Sequence, residues 1–226
     1  MIRLGLLGKS IKHSKSKNMY ENILKCNVEY TLFDYENENM IPDLKELFNR
    51  VEGLSITAPY KEYFFNSVAL SDEARLVGAI NCIKRDGNSF KGFNTDFLAC
   101  RKLILDYGIS NSDSIVVLGN GPMARMILIL LKDYLNDIFH VFRTSDFQIN
   151  SFDFDSIKSN NVTVINCCSR GVVFSPDFKG RNISKFWDMN YSQDHLFSKL
   201  YPNCYIDGLD LLNLQAKFAL QIWGIK

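Results

Sequence analysis

The hydrophobic residues of this chain form short apolar runs that alternate with segments of helical periodicity. Runs of four to eight apolar or β-branched residues between turn residues predict strands, and apolar residues three and four apart predict helices. The predicted strands are 2–7, 28–35, 53–58, 79–85, 89–93, 114–118, 138–142, 162–166, 185–188 and 204–206. The predicted helices are 17–25, 42–48, 60–65, 71–76, 96–107, 122–135 and 209–223. Such alternation favours an α/β fold with parallel sheets covered by helices.

A glycine turn in the second half of the chain predicts the start of a dinucleotide-binding unit. The apolar strand 114–118 runs into Gly119-Asn120-Gly121, and an apolar helix opens with Pro122-Met123. Pro122 suits a first helical position, although it removes one donor that could face a pyrophosphate. The alternative is an ordinary strand-to-helix turn. About a hundred residues precede this unit, enough for a separate domain, so the pattern predicts a two-domain dehydrogenase.

The residues after the next predicted strand bear on cofactor choice. Folds that prefer NAD place Asp or Glu there to bind the ribose 2′-hydroxyl, whereas this chain has Arg143-Thr144. A guanidinium group and a hydroxyl suit a 2′-phosphate, so the sequence favours NADP. The alternative for Arg143 is a solvated charge at the end of a strand.

Two serines near the N-terminus are candidates for holding a small anion. Ser14 and Ser16 lie two apart in a segment predicted to be extended, so both hydroxyls can point the same way. The helix predicted directly after them has N-terminal amides that favour an anion. Together they could bind a carboxylate without a permanent charge. The alternative is a plain N-cap serine.

A lysine and an aspartate form the candidate acid–base pair. Lys61 follows Pro59 at the carboxyl end of a predicted buried strand, where open α/β sheets place their ligands. A lysine there can give a proton to a carbonyl oxygen that becomes an alkoxide. Asp96 could position it and bind a substrate hydroxyl. The alternatives are a surface lysine for Lys61 and an N-cap of helix 96–107 for Asp96.

Composition and charge exclude several other classes of protein. The chain has 46% hydrophobic and 23% charged residues and a net charge of +1, which gives no electrostatic case for binding nucleic acid or an anionic membrane. No apolar run approaches the roughly 18 residues that span a bilayer. The six cysteines form no Cys-x-x-Cys pair, so we expect free thiols in the cytoplasm and no metal.

Several motifs give the chain a resemblance to the shikimate dehydrogenase family along almost its whole length. They occur in the family's order with compatible spacing. The motifs are Gly8–Ser16, Leu54–Lys61, Val77–Asn81, Gly92–Asp96, Trp187–Tyr191 and Asp207–Gln215. The resemblance implies an N-terminal α/β substrate domain (1–98 plus 209–226) and a Rossmann-like dinucleotide-binding domain (99–208) with a deep cleft between them. It also implies NADPH-dependent reversible reduction of 3-dehydroshikimate to shikimate, a small-molecule substrate, and a monomer or homodimer.

The resemblance also assigns roles to individual residues. It implies that Lys61 and Asp96 are the acid–base pair, and that Ser14 and Ser16 with Tyr191 hold the carboxylate. The remaining substrate contacts it implies are Ser55, Thr57, Asn81, Asp96 and Gln215. The cofactor contacts it implies are Gly119, Asn120, Gly121, Pro122, Met123, Arg143, Thr144, Cys167, Cys168, Met189 and Gly208, with the loop 166–169 lining the cofactor cleft.

The chain departs from the family pattern at a few positions, which leaves two alternatives open. Ser55 stands where the family usually has Asn, and Pro122 replaces the third glycine of the cofactor loop. One alternative is a dehydrogenase that acts on quinate or a related acid with NAD, and Arg143 argues against it. The other is a shikimate or quinate binder without turnover, and intact Lys61 and Asp96 argue against that.

Overall fold

A computed structural model describes residues 1–109, 114–134, 137–144, 154–168, 178, 180–191 and 196–226 of the chain. The chain forms two compact units: unit 1 is Met1–Ala99 with Leu212–Lys226, and unit 2 is Cys100–Leu211. The sequence predicts that the chain passes from one domain to the other after residue 98 and returns after residue 208. The assignment of substrate binding to one part and cofactor binding to the other stays a prediction.

The strands and helices alternate along both units. The strands are β1 Ile2–Gly8, β2 Val28–Asp34, β3 Gly53–Ile56, β4 Ala69–Leu70, β5 Cys82–Asp86, β6 Ser89–Phe93, β7 Ser114–Leu118, β8 Asp137–Val141, β9 Asn161–Asn166, β10 Asn182–Asp188 and β11 Tyr205–Ile206. The α-helices are α1 Ser16–Leu24, α2 Leu44–Leu47, α3 Asp72–Val77, α4 Thr95–Asp106, α5 Pro122–Leu131, α6 Leu196–Leu200 and α7 Leu209–Trp223. Short 3-10 helices occupy Glu38–Met40, Tyr60–Glu62, Phe65–Ser67 and Phe154–Ser156.

Unit 1 is built on a six-stranded mixed sheet with the order β2-β1-β3-β5-β6-β4. β1 lies parallel to both β2 and β3, and β5 is antiparallel to β3 and β6. The last five residues of β1 and all four of β3 are buried, as expected of strands covered on both faces. Trp223 at the end of α7 donates from its indole nitrogen to the carbonyl of Ile83 at 2.9 Å, which holds this helix on the sheet.

Unit 2 is built on a five-stranded parallel sheet with the order β11-β10-β9-β7-β8. All five residues of β7 are buried, and five of the six residues of β9 are buried. β7 is flanked by β8 on one side and β9 on the other, so the direction of the strand order reverses between β7 and β9. In open parallel sheets, ligands bind outside the carboxyl ends of the strands at such a point.

The structure confirms the predicted alternation and corrects it in detail. The helix predicted from Pro42 begins only at Leu44, because the Asp43 side chain accepts a hydrogen bond from the backbone N–H of Glu46 at 2.9 Å and caps it. The segment predicted as a helix over 60–65 is divided between two 3-10 helices. β4 and α6 were not predicted, and α5 ends at Leu131. None of the helices described here is long and apolar enough to cross a membrane.

Candidate active site

An ion pair between Lys61 and Asp96 is the chemical centre of unit 1. Lys61 lies in the 3-10 helix that follows β3, and Asp96 lies in the first turn of α4. The Lys61 Nζ donates to Asp96 Oδ2 at 2.8 Å, and the two side chains are 31% and 15% exposed. The pair is therefore held together and still open to a ligand on one side, as predicted from the positions of the two residues.

The start of α4 explains why the Asp96 carboxylate is available to Lys61. The sequence allowed Asp96 to be the N-cap, but Asn94 takes that position: its Oδ1 accepts from the backbone N–H of Phe97 at 2.9 Å. Asn94 also donates from Nδ2 to the carbonyl of Ala79 at 3.0 Å. Because a buried asparagine satisfies the helix end, the Asp96 carboxylate faces the lysine.

Asn81, Thr95 and Gln215 form a polar cluster within unit 1. Asn81 Oδ1 accepts from the Thr95 backbone N–H at 2.7 Å and from its hydroxyl at 3.1 Å. Gln215 Oε1 lies 3.3 Å from the same hydroxyl, and its Nε2 donates to the carbonyl of Leu212. The cluster leaves the Nδ2 amide of Asn81, which makes no hydrogen bond to a described residue, to donate to a ligand.

Ser14 and Ser16 lie in contact, although not in the extended segment that the sequence predicted. Ser14 closes a turn through its backbone N–H to the carbonyl of Ile11 at 2.9 Å, and its hydroxyl lies 3.1 Å from that of Ser16. The loop before them is fixed by Asp34 at the end of β2, which accepts from the N–H groups of Ser10 and Ile11 at 2.7 and 3.3 Å. The two hydroxyls are therefore presented together at the start of α1.

The two remaining predicted substrate residues of unit 1 lie at the carboxyl end of β3. Ser55 is 9% exposed, and its hydroxyl lies 3.1 Å from that of Tyr20, a residue of α1 that is 1% exposed. Burial raises the pKa of Tyr20 well above its ordinary value, so it stays a neutral hydrogen-bonding partner. Thr57 follows β3, and its backbone N–H donates to the carbonyl of Leu7 at 2.9 Å.

The glycine turn of unit 2 joins β7 to α5 and packs against the loop after β9. Gly119 has φ +102°, and a Cβ there would lie 3.1 Å from the backbone of Cys167 and Cys168. Gly121 is the N-cap of α5, and a Cβ there would meet nothing within 4 Å. The first glycine is thus required by the packing of the turn against the loop after β9. The second leaves open space over the first turn of α5, where Pro122 takes the predicted first position.

A histidine that the sequence analysis did not single out supports this turn. His140 of β8 lies with its Nε2 2.7 Å from the carbonyl oxygen of Gly119, and the Gly119 N–H donates to the carbonyl of Val141 at 2.9 Å. These contacts join the carboxyl ends of β7 and β8. No spacing pattern marks such a histidine, because its role depends on the parallel register of two strands.

A buried carboxylate joins the loops that follow β9 and β10. Asp188 is 0% exposed, and its Oδ1 accepts from Asn166 Nδ2 at 3.1 Å and from the N–H and Nδ2 of Asn190, both at 3.0 Å. Tyr205 donates to its Oδ2 at 3.3 Å. Asn190 Nδ2 also lies 2.9 Å from the carbonyl of Cys168. One side chain thus fixes two of the predicted cofactor loops.

The predicted adenosine-phosphate residues lie after β8. Arg143 and Thr144 are exposed, and Asn120 and Pro122 of the glycine turn are exposed as well. Burial raises the pKa of Cys168, and the positive charge of Arg143 lowers it in smaller measure. Burial likewise raises the pKa of Cys167. Both thiols are therefore neutral near neutral pH. Ser169, the last residue of the predicted loop, lies outside the described residues.

Gly208 contacts the segment that follows β10. The Gly208 N–H donates to the carbonyl of Asn190 at 2.8 Å, and a Cβ on Gly208 would collide with the carbonyl of Met189. Met189, Met123 and Tyr191 are half-buried. A glycine is needed here because two backbone segments meet, and Gly208 therefore lies beside Met189.

The residues of unit 2 fit a dinucleotide. The open face of Gly121 admits close approach of a pyrophosphate to the backbone, and the N-terminus of a ten-residue helix favours its charge. The exposed Arg143 supplies a cation after the neighbouring strand, where a 2′-phosphate is bound in such folds. Among the described residues, no group of three or more His, Cys, Asp or Glu side chains could hold a metal ion.

Comparison with known proteins finds relatives over part of the chain and over nearly all of it. A family model described as the shikimate dehydrogenase substrate binding domain matches residues 6–83. A shikimate dehydrogenase (NADP(+)) of Clostridium perfringens is 34% identical over 254 residues, covering 98% of this chain and 92% of the relative.

Solved structures of similar proteins have the same fold. A chorismate mutase/shikimate 5-dehydrogenase fusion protein from Clostridium acetobutylicum superposes with a TM-score of 0.79 at 27% identity, covering 100% of this chain and 92% of the other. Shikimate 5-dehydrogenase from Thermus thermophilus, solved with NADP(H) and shikimate, has a TM-score of 0.78 at 21% identity, covering 99% and 93% of the two chains. The structure contains the Lys61–Asp96 pair and the glycine turn, and the relative from Clostridium perfringens is similar over 98% of this chain. This chain therefore belongs to the shikimate dehydrogenase family.

Proposed function

We propose that the protein catalyses the reversible, NADPH-dependent reduction of 3-dehydroshikimate to shikimate. The observation that carries this proposal is the 2.8 Å contact between the Lys61 ammonium and the Asp96 carboxylate in a partly open position. A ligand-binding protein without turnover has less need of a general acid than a dehydrogenase has. The names of the curated relatives, shikimate dehydrogenase (NADP(+)), support the substrate and the cofactor.

Reduction of a ketone to an alcohol requires a hydride on carbon and a proton on oxygen. Lys61 donates the proton to the carbonyl oxygen as negative charge develops there, and takes it back in the reverse direction. Asp96 orients the lysine and accepts a hydrogen bond from a neighbouring ring hydroxyl. The 2.8 Å contact with Asp96 fixes the position of the lysine Nζ that gives the proton.

Hydroxyl and amide groups of unit 1 recognise the rest of the substrate. Ser14 and Ser16 hold the carboxylate, with Tyr191 as a further contact. The ring hydroxyls are bound by Ser55, Thr57, Asn81, Asp96 and Gln215. A site that hydrogen-bonds several hydroxyl groups rejects analogues that lack them, because its own polar groups are then left unpaired.

Residues of unit 2 hold the dinucleotide. The backbone of Gly119, Asn120 and Gly121 and the start of α5 take the pyrophosphate, and Arg143 with Thr144 takes the 2′-phosphate. The segments at Cys167–Cys168, Met189 and Gly208 take the nicotinamide end. When bound, NADPH supplies the hydride.

We further propose that the protein works in the cytoplasm as a monomer or homodimer. All six cysteines are free thiols in the structure, which suits a reducing compartment. We also propose that residues 1–98 with 209–226 bind substrate and that 99–208 bind NADP.

The reaction is tested by following absorbance of the reduced nicotinamide with purified protein, shikimate and either NADP or NAD. We expect reduction of NADP with a much higher kcat/KM than that of NAD. Faster turnover of quinate with NAD would favour a different dehydrogenase. Saturable binding of shikimate by calorimetry with no turnover of either cofactor would identify a binding protein and overturn the proposal.

A further inference from the structure

A carboxylate at the end of β2 holds the segment 9–15 between β1 and α1, here called the serine loop. The Asp34 side chain accepts from two successive backbone N–H groups: Oδ1 lies 2.7 Å from the nitrogen of Ser10, and Oδ2 lies 3.3 Å from that of Ile11. Asp34 is also the register partner of Gly8, so the serine loop leaves the sheet directly beside it. Both carboxylate oxygens therefore bind one short stretch of backbone.

Ser10 has a backbone conformation that serine rarely adopts. Its φ is +55°, in the left-handed region, where the Cβ atom of any residue except glycine comes too close to the following carbonyl oxygen. Such a residue persists only where neighbouring groups hold it, and such positions concentrate at functional sites. Asp34 is the group that holds Ser10, because it accepts the N–H of this residue and that of the next one.

A chain of contacts leads from the held backbone to the proposed carboxylate site. Ile11 is 4% exposed, and its carbonyl accepts from the N–H of Ser14 at 2.9 Å. The Ser14 hydroxyl in turn lies 3.1 Å from that of Ser16 and accepts from the Ser16 N–H at 3.2 Å. A change of Ser10 to an extended conformation would redirect the chain at Ile11, on which the turn that presents the two hydroxyls depends.

We propose that Asp34 is a positioning residue for substrate binding, which keeps the serine loop in the conformation in which Ser14 and Ser16 receive the substrate carboxylate. The inference rests on the proposed function, since it takes shikimate as the ligand. Asp34 acts through the loop and not by contact with the ligand, because both its oxygens are directed to backbone N–H groups. As a negative charge it would repel the substrate carboxylate, so electrostatic attraction does not explain its presence beside this loop.

Replacement of Asp34 should weaken shikimate binding even though it removes a negative charge. We expect Asp34→Ala to raise KM and the calorimetric Kd for shikimate about tenfold, with kcat within about twofold, because the carboxylate is held in ground and transition states alike. Asp34→Asn keeps one acceptor oxygen and should lose less affinity. If only the charge mattered, both variants would bind shikimate more tightly than the parent. The sign of the change therefore decides between position and charge.

The substitution Ser10→Gly tests the mechanism by which Asp34 acts. Glycine adopts left-handed backbone angles without steric cost, so a serine loop with this substitution has less need of the carboxylate. We expect Asp34→Ala to raise the Kd for shikimate about tenfold in the parent and only about twofold in the Ser10→Gly background. A double-mutant cycle measures this coupling. Equal losses in the two backgrounds would overturn the mechanism.

A ligand without the carboxylate and a matched aspartate separate positioning from a general loss of stability. The probe is the shikimate analogue in which a hydroxymethyl group replaces the carboxylate, and we expect Asp34→Ala to bind it about as well as the parent does. Asp43→Ala is the control: the Asp43 side chain accepts from the backbone N–H of Glu46 at 2.9 Å at the start of α2. It should lower Tm and leave the ratio of the two affinities unchanged.

The possible outcomes distinguish this inference from the proposed function. Unchanged or tighter binding of shikimate by Asp34→Ala, or equal losses for shikimate and the analogue, would overturn the role of Asp34. If Asp34→Ala does not fold, Asp34→Asn gives the same test with a smaller expected loss. Failure of the parent itself to bind or oxidise shikimate would instead overturn the proposed function.

Discussion

The ammonium nitrogen of Lys61 lies 2.8 Å from Asp96 Oδ2, between residues that are 35 positions apart in the chain. Ion pairs of this exposure contribute little to stability, because solvent screens them and two side chains must be ordered to form them. Two hydrogen bonds nevertheless fix the segments that carry this pair. The carbonyl of Lys61 accepts from the N–H of Ile80 at 2.9 Å, and Asn94 caps the helix that carries Asp96. We infer that the geometry serves proton transfer rather than stability.

Replacement of Lys61 should therefore affect chemistry more than folding. We expect Lys61→Ala to lower kcat by a factor on the order of 10² or more, with a much smaller change in KM, because the proton is needed mainly in the transition state. Steady-state kinetics of shikimate oxidation measure both constants. Lys91→Ala is the control: it removes another lysine of unit 1 in an ion pair, 2.7 Å from Asp86, and should leave both constants unchanged. A large rise in KM with unchanged kcat would show that Lys61 only binds.

The two glycines of the cofactor turn should respond differently to alanine. Gly119→Ala places a Cβ at φ +102° and 3.1 Å from the Cys167–Cys168 backbone, so we expect a loss of stability of about 1–3 kcal/mol. Gly121→Ala meets nothing within 4 Å and should leave Tm unchanged. Its methyl group would occupy the space proposed for the pyrophosphate, so the Kd for NADP should rise. Urea denaturation and calorimetry measure the two effects. Unchanged NADP affinity in Gly121→Ala would argue against a pyrophosphate at this place.

Much of the fold could be predicted because local patterns and tertiary structure agree. The strand over 114–118, Pro122 at the first position of a helix and the closing helix over 209–223 all lie where the sequence predicts them. β4 could not be predicted, since a two-residue strand exists only through pairing with β6. The helix predicted from Pro42 begins two residues later, because a hydrogen bond of the Asp43 side chain, not the proline, sets its start.

The candidate site also contains residues that the sequence predicts and residues that it does not. Residues with a chemical signature, such as Lys61 and Asp96, could be found from their types and positions. The residues that support the loops of the candidate site could not be found in this way. Asp34, His140 and Asp188 act through contacts with loops that are distant in sequence, and no spacing rule links them to the groups they support. Their roles follow only from the register of neighbouring strands.

Arg143 should decide the choice between the two cofactors. We expect Arg143→Ala to raise KM for NADP by about tenfold and to leave KM for NAD nearly unchanged, because only NADP carries the 2′-phosphate. Arg101→Ala, which removes an exposed arginine of α4 in the same unit, is the control for a general loss of positive charge. Equal losses with both cofactors would refute the phosphate role. A preserved preference for NADP would mean that another cation binds the phosphate.

Asp188 should couple the stability of unit 2 to cofactor binding. Its carboxylate accepts hydrogen bonds from Asn166, Asn190 and Tyr205 in a position that is 0% exposed. Asp188→Ala leaves these donors unpaired, so we expect unfolding in urea to become easier by more than about 3 kcal/mol and the Kd for NADP to rise.

Graded variants test whether the buried charge or only an acceptor is needed at Asp188. Asp188→Asn keeps one acceptor oxygen and should lose about 1–2 kcal/mol, and Tyr205→Phe, which removes only the donor at 3.3 Å, should lose less. If Asp188 positions the loops at Cys168 and Met189, the loss of NADP affinity should follow the same order, while shikimate affinity measured without cofactor stays unchanged. A loss of stability in Asp188→Asn with full NADP affinity would restrict this carboxylate to a structural role.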